Sequence, residues 1–154
     1  MSQIEEKLHQ LGYTLPSPPS PGGNYVRTVR TGNLIFLAGT APRRPDGTRV
    51  QGKLGQDLST EEGYEAARLC ALNLLTNLKG EIGDLDRMTH IVKMLGMVNS
   101  TPDLRDQPQV INGASDLLVK LFGESGNHAR SAIGVPALPG GIAVEIEMVV
   151  EVAG

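Results

Sequence analysis

The sequence contains no tryptophan, and only three tyrosines and two phenylalanines, in 154 residues. The core must therefore be aliphatic, and an aromatic platform for stacking nucleic-acid bases is not expected. There is a single cysteine, Cys70. That excludes an internal disulfide framework and any zinc cluster built from cysteines. Cys70 sits on an apolar helical stripe and is expected to be a small buried hydrophobe rather than a nucleophile. An excess of positive charge is also missing: 14 Lys and Arg stand against 17 Asp and Glu, a formal net charge of −3. Neither duplex nucleic acid nor an anionic membrane is an expected partner. No apolar run spans a bilayer, since the longest mainly nonpolar stretch, 132–144, is broken by Pro136, Pro139 and three glycines. The first residues carry Glu5, Glu6 and Lys7 in place of an apolar signal, so the expected location is cytoplasmic. The histidines His9, His90 and His128 lack ligand-like spacing, and no metal site is expected. Phosphate-binding, dinucleotide, nucleophile-elbow and HExxH motifs are all missing.

What is present is a globular composition, 40% hydrophobic and 20% charged, in a length that fits one domain over residues 1–154. Ser2 with Glu5, and Ser59 with Glu62, have the spacing of capping boxes. Ile4, Leu8 and Leu11 continue the first at helical intervals, predicting a short helix over about 2–12. Ala66, Leu69, Cys70, Asn73, Leu74 and Leu78 continue the second until Gly80 or Gly83. The segment PSPPSPGG at 16–23 is a stiff connector. Two strands, 25–30 and 33–39, are expected around a tight turn at Thr31-Gly32, and 42–55 is a loop with a short strand near Val50. Residues 88–99 form a strand. A third helix starts at Asp103 or Asp106 and stops at Gly123. Strands follow at 130–135 and 142–152, the latter alternating between Ile142, Val144, Ile146, Met148, Val150, Val152 and a face bearing Glu145, Glu147 and Glu151. The class is α+β: one mixed sheet with two main helices on one face.

That architecture leaves a face uncovered. The strands at 34–38 and 91–98 present apolar groups at both parities, and a wet apolar face of that size is rare in monomers. Self-association through the open face is the expected remedy.

The chemistry concentrates in the last third of the chain. Arg130 opens one strand and Glu145 stands on the next. If those strands pair, the two side chains converge near one end. A guanidinium fork suits a carboxylate, and a nearby glutamate can orient a water or carry a proton. The same pair reads equally well as a surface ion pair. Glu147 and Glu151 are expected on a solvated face.

The run from His128 to Glu147, HARSAIGVPALPGGIAVEIE, resembles the C-terminal signature of the Rid/YjgF family, with Ala-Arg-Ser, Leu-Pro and an apolar-Glu-Ile-Glu strand at fixed offsets. Gly23-Asn-Tyr25 and Gly32-Asn-Leu-Ile-Phe-Leu-Ala-Gly39 match its first hairpin, and the likeness covers about 22–152. It implies a chorismate-mutase-like fold and a homotrimer around a barrel core, with clefts between subunits. It also implies cofactor-free hydrolysis of reactive 2-imino acids or enamines to 2-keto acids and ammonia. Under that reading Arg130 holds the substrate carboxylate, Glu145 positions or deprotonates the water, and Tyr25 walls the cleft and donates a hydrogen bond. Asn112 matches an asparagine of the second main helix. Ala132 replaces the archetype's cysteine two residues after the arginine. His128 replaces a proline two residues before it, and is either an extra acid or base or a plain loop residue. The helix at 2–12 and the longer connector at 40–58 mark a divergent branch. A keto-acid binding or sensor protein is the alternative function, and RNA cleavage is disfavoured by charge and by the scarcity of aromatics.

Overall fold

The computed structural model describes residues 2–154. Both capping boxes form. Ser2 Oγ accepts from the Glu5 N–H at 3.1 Å and the Glu5 carboxylate accepts from the Ser2 N–H, starting helix α1 (Gln3–Gln10). Ser59 and Glu62 do the same at 3.2 and 3.0 Å for helix α2 (Thr60–Ile82). Each box satisfies amide groups that a helix start otherwise leaves without partners. Helix α3 (Gln107–Phe122) follows Asp106, which makes no side-chain cap.

The strands are β1 (Thr28–Thr31), β2 (Leu34–Thr40), β3 (Met88–Asn99), β4 (Ala129–Val135) and β5 (Val144–Val152). They form one sheet in the order β1-β2-β5-β3-β4. Only β3 and β4 run parallel, joined through α3, and the other pairs are antiparallel. Helix α2 packs on β2 and β5, and α3 on β3 and β4, so both helices cover the same face. Between them and the sheet lies an aliphatic core that includes Ile35, Leu74, Leu75, Met94, Leu118, Ile146 and Val150, all fully buried. The expected α+β arrangement is thus observed. No helix among the described residues is long and apolar enough to cross a membrane.

Several boundaries differ from the sequence expectation. Strand β1 begins at Thr28, not at Tyr25, because a bend folds the Tyr25 N–H onto the Gly23 carbonyl at 3.0 Å. The hairpin turn is Gly32-Asn33, with Thr31 paired to Leu34, and Gly32 takes φ 58°, which a side chain disfavours. Strand β5 starts at Val144 because Ile142 bridges instead to Gln51, the short extended piece expected near Val50. In β3 the buried positions Met88, Ile91 and Met94 are three apart, with register shifts between Met88 and His90 and between Ile91 and Lys93. Bulges, which add a residue to one strand, explain that spacing.

The face opposite the helices carries exposed Val29, Phe36, Val92 and Ile133. At the other end of the molecule α1 docks through its start: the N–H groups of Gln3 and Ile4 donate to the Asp86 carboxylate at 2.9 and 3.0 Å. Leu8 enters the core, and Glu5 pairs with Lys79 of α2.

Candidate functional site

Arg130 lies on β4, an edge strand, opposite Met94 of β3. Partners in register point to the same side. Met94 is buried, so the Arg130 side chain turns to the helix face and meets α3. Its Nη1 donates to Ser115 Oγ at 3.0 Å and its Nη2 to the Pro108 carbonyl at 3.3 Å. Among the described residues no carboxylate pairs with it. The guanidinium is therefore fastened by two neutral acceptors, it is half-buried, and its charge is uncompensated.

Three other expected residues join it. His128 contacts Ser115 Oγ through Nε2 at 2.9 Å, and its Nδ1 lies 2.6 Å from the Gly126 carbonyl. Asn112 is half-buried on α3, one turn from Pro108 and three residues before Ser115, so helical spacing puts it on the same flank. Ala132 follows Arg130 at the same parity, level with Gly96, and packs against the core. A side chain on Gly96 would meet Ile111 of α3 at 2.6 Å, so the row Gly96–Ala132 is kept small by the close helix.

Ser115 was not among the residues singled out by sequence. Its signal was faint: Pro108, Asn112 and Ser115 recur at helical spacing opposite a strand that begins His-Ala-Arg.

Glu145 is elsewhere. Strands β4 and β5 do not pair, since β3 lies between them, and the convergence expected if they did is not found. Glu145 stands level with Met97 and Ile133 on the open face, whereas Arg130 stands level with Met94 on the helix face. Strand geometry puts their Cα atoms about 14 Å apart. Glu145 is half-buried, and a β-carbon on Gly39 would come within 2.6 Å of its Oε2. Burial first, and then the carboxylate of Glu147, push the Glu145 pKa above the ordinary carboxylate value. Glu147 and Glu151 are exposed, as expected.

Tyr25 is 51% exposed, ahead of β1, its hydroxyl accepting from the Gly22 N–H at 3.2 Å. Strand β1 is the edge opposite β4, about 19 Å away across the sheet. One chain therefore cannot bring Tyr25 and Arg130 to the same small molecule. Cys70 is fully buried, and burial raises its thiol well above its ordinary pKa, so it stays protonated and packs as a hydrophobe. Among the described residues no three His, Cys, Asp or Glu side chains group to hold a metal ion.

The match to known proteins spans the chain. Residues 5–151 fit the family model described as "YjgF/chorismate_mutase-like, putative endoribonuclease". Protein TCP17 of Trypanosoma cruzi is 42% identical, with 97% of this chain and 94% of that protein covered. The solved structure of a "putative endoribonuclease" from Shewanella oneidensis superposes with a TM-score of 0.93 at 33% identity, covering 97% of this chain and 99% of that one. A 2-iminobutanoate/2-iminopropanoate deaminase of Dermatophagoides farinae is 28% identical, over 88% of this chain and 91% of its own.

Proposed function

This chain belongs to the YjgF/chorismate-mutase-like family, and on that premise we propose that it hydrolyses 2-imino acids, or their enamine tautomers, to 2-keto acids and ammonia at clefts between copies of a homotrimer. The observation that carries the proposal is the Arg130 guanidinium, which is held by Ser115 and Pro108 and has no carboxylate partner among the described residues. Two of its five N–H groups are engaged, which leaves donors free for the two oxygens of a substrate carboxylate.

The clefts require more than one copy because the residues are divided. Tyr25 and Arg130 belong to opposite sheet edges, and Glu145 to the open face. Setting the Tyr25 end of one copy beside the β4 edge of the next reunites the first pair, lets the copy that gives Tyr25 also give Glu145 from its open face, and covers apolar surface at Phe36 and Ile133.

The reaction needs little activation. An iminium carbon is electrophilic already. Water adds to it as Glu145 takes one proton, giving a carbinolamine. Glu145 returns the proton to nitrogen and then takes the hydroxyl proton as the C–N bond breaks, so that ammonia leaves a 2-keto acid. The raised affinity of Glu145 for a proton, caused first by burial, favours its return of the proton to nitrogen. Arg130 and Tyr25 contribute orientation, the larger share of the rate.

The test is ammonia release from 2-iminopropanoate or 2-iminobutanoate generated in the assay, with Arg130→Ala as control. Activity in the wild type that Arg130→Ala removes supports the reading. Equal rates for both against several imino acids reject it. Binding of a 2-keto acid without turnover would favour the second reading, a carboxylate sensor, for which Arg130 alone suffices. Endoribonuclease, the word attached to the family model and to the Shewanella protein, sits poorly with a net charge of −3 and no tryptophan.

A further inference from the structure

With a neutral ring, the contacts around His128 set the direction of donation through the cluster. A carbonyl only accepts, so the 2.6 Å contact to Gly126 places a hydrogen on Nδ1. In the neutral ring Nε2 then accepts, and its partner at 2.9 Å, the Ser115 hydroxyl, must donate. With its proton committed to His128, Ser115 Oγ turns lone pairs outward, and Arg130 Nη1 donates into one of them at 3.0 Å. The competing acceptor for the Ser115 proton, the Met94 thioether at 3.9 Å, is far weaker than an imidazole nitrogen. The chain of donation runs from Arg130 through Ser115 to His128, and His128 is locked in turn by Gly126.

We infer that Ser115 and His128 form an oriented relay that positions Arg130 to grip a substrate carboxylate, and that both act through the guanidinium without touching the reacting atoms. The inference rests on the reading of Arg130 given above. Both ring nitrogens of His128 are engaged inside the cluster, by Ser115 Oγ and the Gly126 carbonyl. A long arginine on an edge strand otherwise sweeps many rotamers, and ordering it would weaken carboxylate binding. Two acceptors from α3, Ser115 Oγ and the Pro108 carbonyl, remove that freedom beforehand.

The test is calorimetric binding of 2-oxobutyrate to the assembled protein, beside KM and kcat for the imino acid. Ser115→Ala and His128→Leu are each expected to raise Kd and KM about tenfold, the value of one lost hydrogen bond to a charged group, and to change kcat less. Ser115→Thr, which keeps the hydroxyl, is expected to stay near wild type. The double variant is expected to be no weaker than either single one, because each breaks the same chain. Nitrogen NMR should find His128 in the Nδ1–H tautomer. Unchanged Kd in Ser115→Ala, additive losses in the double variant, or an Nε2–H tautomer would each overturn the relay while leaving Arg130 as the carboxylate site. Absence of 2-oxobutyrate binding in the wild type, with turnover also absent, would remove that site and the relay with it. Melting temperatures of all variants separate lost binding from lost folding.

Discussion

Arg130 and Glu145 project from opposite faces of the same sheet, on strands that β3 holds apart. Their separation makes the division of labour testable one residue at a time, because a change at one does not touch the packing of the other.

Arg130→Lys should keep the charge and lose the planar fork that serves Ser115, the Pro108 carbonyl and a substrate together. The KM for an imino acid is expected to rise about tenfold or more, with kcat reduced less. Steady-state kinetics on the variant check this.

Glu145 and Gly39 form a matched pair. A methyl group at position 39 would press on the Glu145 Cδ and Cγ at 3.0 Å as well as on Oε2. Gly39→Ala should displace the carboxylate and lower ammonia release about tenfold. Because the atom in the way is the end of a flexible side chain, the melting temperature should move little.

The raised Glu145 pKa also has a sign for stability. The folded state holds that proton more tightly than the unfolded chain, so ionising the carboxylate at neutral pH costs the fold stability. The cost fades as pH falls through the raised pKa and is gone below the unfolded value. Glu145→Gln should therefore melt higher than wild type near pH 7, with the difference closing near pH 4, even as activity is lost. Thermal melts across that range decide it.

Much of the fold was legible because it depends on local signals. Two capping boxes, one alternating strand and the glycine stops of α2 and α3 are all short-range patterns. Strand order was not legible in the same way. Nothing in the spacing of Arg130 and Glu145 reports that β3 inserts between their strands, since that is decided by the crossover through α3. The bulges of β3 were hidden too, because an apolar residue every third position imitates a strand buried on both sides. Tyr25 was misplaced because a tyrosine beside a valine resembles a strand start, while the turn at Gly23 draws it out of the ladder.

The close crossing of the two main helices gives a prediction for the scaffold itself. At Gly113 an added β-carbon would fall 1.9 Å from the Tyr64 carbonyl oxygen, and backbone cannot step aside as a side chain can. Gly113→Ala should destabilise the protein by about 3 kcal/mol, measured by urea unfolding, although alanine is the better helix former.

The open face makes a prediction for mass. Phe36→Glu or Ile133→Glu replaces an exposed apolar group of the open face with a charge. Sedimentation should find the wild type as a trimer and these variants as monomers with unchanged helical content.

The two ends of the sheet are different objects, one a short hairpin strand preceded by Tyr25 and the other a parallel strand backed by α3. A junction that mates one with the other is head-to-tail, and a pair of chains joined so still offers an unused end of each kind. Growth stops only when the turn between successive copies brings the last onto the first. In the proposed trimer, a substitution that altered that turn without weakening the junction would leave the ring open and turn a closed assembly into a filament.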